Sequence, residues 1–542
     1  LHQSGKIKAM RKSWPAILII VITFLTFAGV LGHEFLSWDD EILVTQNYLV
    51  RNFSPMIFWS YDPELYIPIT LLSFQINYAL FDLNPFWYHL TNLIIHISNA
   101  LLVFWLSLMI IKKRYLAVFA ALIFAVHPLN TEAVAWISAR KELLSTFFML
   151  SALITYVKTG DKRWMIVLSL ILFVLAMMSK VTALVLPLIL ILYDQAQPKS
   201  ENRNPKTYIP FLLLAGIFAV IAVVGKSIAV IQLTTTEMVL LAFRSTTFYL
   251  QKFLLPIKLS AIYGAPDPIS IQNWEIIFSI LIVALLITAT CIFRKMKVAM
   301  FASGFAILTI APSFMAYMKS DGISVAADRY AYMPSIGLAM LIVLIVSSIR
   351  KQDFVIFILV AVISSCMFLT IERNKVWATT EVLFQDIIKK NPTSHITHNN
   401  IGNMHLNNGD LRTALLYLEK AMELNPESPE VLVNMGVYYG KLGDYSASES
   451  YLNQAMEIHP TFAPAHFNKG GIHFQRREYR SAIESYKKAI ESNRYYTSAI
   501  WQLARTYLKS GDQEMARETY LGLLKFDESY KGRRAELDEL IN

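Results

Sequence analysis

Charge is scarce in this chain. Charged residues make up 16% of its 542 positions, against about a quarter in a soluble globular protein. That deficit excludes an ordinary cytosolic enzyme, a disordered chain and a fibrous one. Cysteine is scarcer still: Cys291 and Cys366 are the two present, and each sits inside an apolar run. They read as small core hydrophobes, which leaves no disulfide framework and no thiolate zinc site. What is abundant is apolar surface, with 55% hydrophobic and 13% aromatic residues and a mean hydropathy of +0.43. Most of the chain belongs in lipid. The formal charge of +9 is therefore read as topogenic signal in membrane loops rather than as a nucleic-acid surface, and no nucleic-acid partner is expected.

Apolar stretches of near-spanning length recur from Pro15 to about Ile371 and then stop. The candidates are Pro15–Gly32, His89–Ile111, Tyr115–Val126, Leu143–Val157, Trp164–Met178, Thr182–Leu192, Tyr208–Ile231, Trp274–Phe293, Val298–Tyr317, Tyr332–Val346 and Phe354–Thr370. They make about eleven crossings. Glu237–Leu254 is left out, because Arg244 and the Gln251/Lys252 end favour an interfacial helix. Basic clusters such as Lys6/Lys8/Arg11/Lys12, Lys112/Lys113/Arg114, Lys199/Arg203/Lys206 and Arg294/Lys295/Lys297 resist translocation and should face the cytoplasm. An odd number of crossings then places the tail after Ile371 on the extracytoplasmic side of the inner membrane. A cleaved signal peptide is the alternative for the first span; a retained anchor is favoured, since Leu31–Phe35 lacks a small-x-small cleavage site. Met10 is a candidate initiator.

The last third is periodic. Gly402, Gly436 and Gly470 stand 34 residues apart, as do Ala421, Ala455 and Ala489, and Pro392, Pro426 and Pro460. That period and pattern define a tetratricopeptide array. Gly and Ala let paired helices approach, Leu418, Leu452, Tyr486 and Tyr520 fill between them, and Pro ends the second helix. The predicted organisation is all-α: a short tail over 1–14, a polytopic membrane domain over 15–376 with a first outer loop at about 33–86, a linking helix over 377–394, and about four repeats over 395–542. A groove formed by the stacked pairs would grip a protein or peptide.

Chemistry must be sought in the membrane half. Trp38 is followed by Asp39, Asp40 and Glu41 directly after the first span. Three acids at a membrane boundary are either solvated, used, or spent on capping the next helix through Val44 and Asn47. The stretch Ile69–Leu80 is too short to cross and would lie at the interface, walling a cavity. His89, Asn92 and His96 share one helical face, read as a hydrogen-bonded interhelix stripe in preference to a metal site. His127-Pro128-Leu129-Asn130-Thr131-Glu132 leads to Trp136 and Arg140, and the spacing of four puts Glu132, Trp136 and Arg140 on one face of a helix. Either Glu132 and Arg140 pair structurally, or Arg140 holds an anion while Glu132 positions it, since guanidinium suits phosphate. Lys180, Arg244 and Arg329 lie toward the same side. Together with the acids they suggest a site for a negatively charged amphiphile.

These motifs carry a resemblance. Trp38-Asp39-Asp40, the run from Tyr66-Ile67-Pro68 to Tyr88-His89-Leu90-Thr91-Asn92, His127-Pro128-Leu129-Asn130-Thr131-Glu132 with Arg140, and Asp328-Arg329-Tyr330-Ala331-Tyr332-Met333-Pro334, followed by tetratricopeptide repeats, resemble the transmembrane and tetratricopeptide-repeat-containing O-mannosyltransferases and their bacterial relatives. The resemblance covers nearly the whole chain. It implies a GT-C class membrane glycosyltransferase that moves mannose or another hexose from a polyprenyl-phosphate carrier to a protein Ser or Thr hydroxyl, inverting the anomeric carbon. It implies Asp39 or Asp40 as catalytic acid residue, with Arg140, Lys180, Arg244 and Arg329 binding the donor phosphate and Glu132, His89, His127, Tyr330 and Tyr332 in support. No cofactor is required by this reading, although Asp39 and Asp40 could share a Mg or Mn ion. Val181 departs from the pattern, because many relatives carry an acid after the lysine. Two other functions compete: a membrane-anchored repeat scaffold for envelope assembly, which needs fewer spans, and a lipid-linked substrate transporter, which predicts internal pseudo-symmetry.

Overall fold

The computed structural model describes residues 2–61, 65–159, 162–196, 205–224, 234–264, 268–292, 296–318, 326–494, 496–526, 530–533 and 535–539. The side chains of Lys6, Lys8, Arg11, Lys12 and Cys291, and residues Lys199, Arg203, Arg294 and Lys295 of the predicted basic clusters, lie outside that description. The architecture is all-α. Among the described residues the one β contact is the isolated bridge Tyr263–Ala326. The chain divides into two compact units, residues 1–386 and 387–542.

The first unit is a membrane protein. Among the described residues, five helical segments are long and apolar enough to cross a bilayer, fewer than the eleven expected: Ser13–Gly32, Pro85–Ile111, Pro205–Val224, Lys297–Phe314 and Gln352–Trp377. Shorter apolar helices occupy Arg163–Ser179, Val181–Ala196, Trp274–Thr288 and Pro334–Val346. Leu213, Val220, Val223 and Val224 are more than half exposed on one such segment, which is stable only where lipid takes the place of water. The helix Thr235–Leu254, predicted to lie apart from the crossings, starts with a capping box between Thr234 and Glu237.

Two interruptions shape the helices of this unit. Arg114–Val126 and Pro128–Ala135 are bent by 50°. Pro128 cannot donate to the preceding turn and its ring would strike that turn's carbonyl, so His127 turns extended and its Nδ1 accepts from the Leu129 amide at 3.3 Å. The second break falls at Lys180, whose extended backbone separates the helix Arg163–Ser179 from the short 3-10 segment Val181–Val185. The helix Pro68–Phe81 crosses nearby, where Thr70 Oγ1 donates to the Ser179 carbonyl at 3.1 Å and Gln75 Nε2 donates to the Leu49 and Ser54 carbonyls, each at 2.8 Å. The irregular backbone at these positions is satisfied by partners inside the protein.

Close approach of helices Lys297–Ile310 and Pro334–Val346 depends on Gly337: a Cβ there would collide with the Ala302 carbonyl and lie 2.9 Å from the Ala306 amide. Backbone cannot give as a flexible side chain can. Gly337→Ala is expected to cost about 1–3 kcal/mol, read as a lowered unfolding midpoint of the purified protein in detergent; an unchanged midpoint would show that the crossing can widen freely.

The second unit holds four helix pairs, His395–Asn407 with Leu411–Leu424, Pro429–Leu442 with Tyr445–Ile458, Ala463–Gln475 with Tyr479–Ser492, and Thr497–Ser510 with Gln513–Phe526. The predicted packing is present. Leu418, Leu452, Tyr486 and Tyr520 are buried, and a Cβ at Gly402, Gly436 or Gly470 would lie 2.7, 2.9 and 2.7 Å from Leu418, Leu452 and Tyr486 respectively. Ser394, Asp410, Ser428 and Asp444 cap the helices that follow them with side-chain acceptors.

Candidate active site

The acids after the first span are divided by their surroundings. Asp40 is fully buried; its Oδ2 accepts from the Leu36 amide at 3.0 Å, and its Oδ1 accepts from the Ser138 amide at 2.9 Å and the Ser138 hydroxyl at 2.5 Å. Burial pushes its carboxyl up to about 6, even though those three donors favour the charged form. Asp40 thus ties the loop after the first apolar helix to the segment after Ala135. It does not cap the helical turn Glu41–Thr45 that follows it; the following helix is capped instead by Asn47, whose Oδ1 accepts from the Leu49 and Val50 amides. Asp39 is different. Its side chain is 39% exposed, and its Oδ2 faces the Lys141 ammonium at 3.8 Å.

The pH dependence of Asp40 has a definite sign. Its folded value lies above that of a free aspartate, so the stability it contributes is fully present below pH 4 and is lost as the pH rises through about 6. The difference is about 3 kcal/mol. Asp40→Asn should flatten the fall in unfolding midpoint between pH 4 and pH 7. An equal fall in both proteins would place the titrating group elsewhere.

Around Asp39 and Tyr330 the unit gathers three cations from three segments, Lys141 and Arg329 in range of Asp39 and Lys180 beside Tyr330. Lys141, at the start of the helix Arg140–Val157, lies in electrostatic range of Asp39, Arg329 and Lys180. Lys180, at its extended break, forms an ion pair with Glu142 and stands 4.8 Å from the centre of the Tyr330 ring. Arg329 is held by Glu132 twice, Nη1 to Oε1 at 2.5 Å and backbone amide to Oε2 at 2.9 Å. Its guanidinium sits 5.2 Å from the Trp136 ring and 4.9 Å from that of Tyr330. Burial opposes its charge, but Tyr330, Glu132 and Asp39 outweigh it and hold the pKa above the ordinary arginine value. Burial likewise pushes the Tyr330 phenol up, and Arg329 and Lys180 outweigh it, leaving the phenol below the usual tyrosine range. Trp38 and Trp136 close one side, their ring centres 6.2 Å apart. Residues just before the end of this unit pack against the same loop: the Ser37 amide donates to Thr380 Oγ1 at 2.9 Å and the Trp38 ring lies 5.9 Å from that of Phe384.

Lys180 also lines a pocket of about 60 Å³ whose other walls include Tyr66, Ile67, Met177, Val181 and Phe218. Those walls are mostly apolar and place one cation beside a greasy cleft. A phosphate carried on a hydrocarbon chain has that same division.

The structure thus brings together Asp39, Glu132, Lys180, Arg329 and Tyr330 of the predicted site. It leaves others elsewhere. Arg140 is fully buried, with Nε donating to Asn92 Oδ1 at 2.7 Å, Nη1 to Asn77 Oδ1 at 2.5 Å and to Ser73, and Nη2 to the Tyr88 carbonyl at 2.9 Å, over the Phe74 ring at 4.4 Å. The expected common face of Glu132, Trp136 and Arg140 does not form: the helix from Thr131 ends at Ala135, Trp136 is extended, and a 3-10 turn over Ile137–Ala139 rotates Arg140 away. Arg244 pairs with Glu275 at 3.0 Å. Of the supporting residues, His127 Nε2 bonds the Phe253 carbonyl at 2.9 Å, Tyr332 joins His96 at 2.7 Å and Asn99 at 3.1 Å, and His89 is buried with its ring 5.8 Å from that of His33. His96 bonds the Tyr332 hydroxyl and Asn92 donates to the Trp136 carbonyl, both partners lying in the irregular segments between helices rather than on a facing helix.

Lys141, Glu142 and Ser138 were not assigned roles from sequence. The signal was the Arg140-Lys141-Glu142 triplet, of which the neighbouring cation faces the site. Among the described residues no three His, Cys, Asp or Glu side chains converge on one point. Nor do the two aspartates suit a shared Mg or Mn ion, because both Asp40 oxygens are occupied by amide and hydroxyl donors and Asp39 faces an ammonium.

Tetratricopeptide-repeat family models match residues 405–467, 463–496 and 497–530. Among curated proteins, a protein O-mannosyl-transferase of Caenorhabditis elegans is 26% identical over 427 residues, covering 72% of this chain and 60% of that protein. The protein O-mannosyl-transferase Tmtc3 of Drosophila melanogaster is 23% identical over 499 residues, covering 72% of this chain and 53% of that one. The mouse protein O-mannosyl-transferase TMTC1 is 30% identical over 213 residues, 34% of this chain and 22% of that one. The chain spans little more than half the length of the first two. Among solved structures, a tetratricopeptide-repeat protein of Thermus thermophilus aligns with 30% of this chain and 89% of its own, at 20% identity and a TM-score of 0.28.

Proposed function

We propose that this chain, a homologue of the protein O-mannosyl-transferases, is an integral membrane glycosyltransferase that moves mannose or another hexose from a polyprenyl-phosphate carrier to a Ser or Thr hydroxyl of an acceptor protein. The observation that carries this reading is the partly exposed Asp39 carboxylate set among Lys141, Lys180 and Arg329 beside an apolar cleft.

The donor's lipid chain runs along the apolar surface beside Tyr66 and Phe218, its head end entering the cleft where Lys180 meets the phosphate at the mouth. Asp39 accepts the proton of the acceptor hydroxyl as that oxygen attacks the anomeric carbon. The bond from the anomeric carbon to the phosphate oxygen breaks, its electron pair stays on the lipid phosphate, and the configuration inverts in one displacement. Arg329 and Lys180 stabilise the charge that develops on the leaving phosphate, with Lys141 adding its charge beside them; the positions of Arg329 and Lys180 are set in advance by Glu132, Glu142 and the aromatic rings around them, so little reorganisation of those two is needed. Asp40 positions Asp39 by fixing the loop to Ser138. The repeat unit recruits the acceptor protein through its groove. The site faces the extracytoplasmic side of the inner membrane, where lipid-linked sugars replace nucleotide sugars.

The test compares intact masses of envelope proteins from cells with and without this protein. Loss of a hexose-sized increment from one or more Ser- or Thr-modified proteins is expected. Identical mass profiles across the membrane and extracytoplasmic fractions would contradict the activity.

A further inference from the structure

The three cations of the site are not held alike. Arg329 has two bonds to Glu132 and Lys180 has Glu142, and both glutamates are buried. Among the described residues the Lys141 ammonium has one acidic partner in ion-pair range, Asp39, at 3.8 Å, which is beyond a hydrogen bond. The lysine side chain is buried, the aspartate is the exposed partner, and the Trp136 ring lies 5.8 Å from the ammonium. The loosest ion pair in the cluster is thus the one that contains the base. A carboxylate facing an ammonium is a poor acceptor for a hydroxyl proton, and a phosphate oxygen within hydrogen-bond reach is a stronger partner for that ammonium than a carboxylate 3.8 Å away, because a charge-assisted bond is short.

We propose that Lys141 couples the two substrates: it holds Asp39 while the site is empty, and the donor phosphate draws it away, so that the carboxylate is released to take the acceptor proton only when the lipid-linked sugar is in place. The proposal rests on the reading of the site as a lipid-phosphate glycosyltransferase centre. No new bond chemistry is involved, because the ammonium changes partner without losing its proton. The consequence is an order of events: donor first, then acceptor activation. A base freed without a donor would have no electrophile to serve.

A double-mutant cycle on the full-length protein in lipid nanodiscs tests this, with farnesyl phosphate as the probe and its Kd as the readout. Wild type should bind it. Lys141→Gln should weaken binding about tenfold, and Asp39→Asn should tighten it about fivefold by removing the competing carboxylate. In the Lys141→Gln background the gain from Asp39→Asn should shrink to about twofold or less. Lys141→Arg, which keeps the charge, should restore most of the affinity and controls for folding. An Asp39→Asn gain of equal size with and without Lys141 would overturn the proposal while leaving the site's function standing. No binding of farnesyl phosphate to wild type would overturn the lipid-phosphate reading and the coupling together.

Discussion

Asp39→Asn should lower hexose transfer about a thousandfold while leaving the protein folded and membrane-inserted. Asn keeps the size and one oxygen of the side chain but cannot accept the hydroxyl proton. Asp39 is partly exposed and makes one loose ion contact, so its replacement disturbs little packing. The comparison with Asp40→Asn gives this expectation its force. Asp40 is buried and engaged by Leu36 and Ser138, so its amide variant should shift the loop and reduce turnover by a smaller factor, accompanied by a change in stability. Hexose incorporation into acceptor protein, measured in cells expressing each variant at matched membrane levels, separates the two. If Asp40→Asn were dead and Asp39→Asn active, the roles would have to be exchanged and the exposed carboxylate would have no function in transfer.

Arg140→Ala should destabilise the membrane unit by about 3–5 kcal/mol. The guanidinium is enclosed by Asn92, Asn77, Ser73 and the Tyr88 carbonyl, and it packs on the Phe74 ring. Deleting it strands those acceptors in a space without water, and each unpaired buried group costs about 1–3 kcal/mol. The variant should therefore be recovered at low yield from membranes, and what is recovered should unfold in detergent at a markedly lower temperature. A wild-type midpoint combined with a tenfold loss of donor affinity would return Arg140 to the phosphate site.

The overall architecture was legible because it depends on local rules. Spans follow from apolar length, and the repeats follow from small residues at Gly402, Gly436 and Gly470 that recur opposite Leu418, Leu452 and Tyr486. The site was legible only in outline. Residue type placed acids and cations on one side of the membrane half, but which of two adjacent residues faces inward depends on helix phase. The spacing of Glu132, Trp136 and Arg140 assumed an unbroken helix. The chain instead breaks after Ala135, where the next turn is held by a tertiary partner, Asp40 accepting from the Ser138 amide. One residue of phase is about 100° of rotation on a helix, enough to exchange Arg140 for Lys141. The same limit applied to Asp39 and Asp40, whose burial is decided by a partner 98 positions away.

The claim on which the rest depends is that a phosphate on a lipid, rather than on a nucleotide, meets Lys180 and Arg329 while Asp39 takes the acceptor proton. Reconstituted protein offered labelled mannose either on a polyprenyl phosphate or on a guanosine diphosphate, together with an acceptor protein identified from the mass comparison, measures that choice directly. Sugar should pass from the lipid-linked donor alone, releasing one polyprenyl phosphate for each hexosylated acceptor. Transfer from the nucleotide donor, or sugar transfer without release of the lipid phosphate, would contradict it.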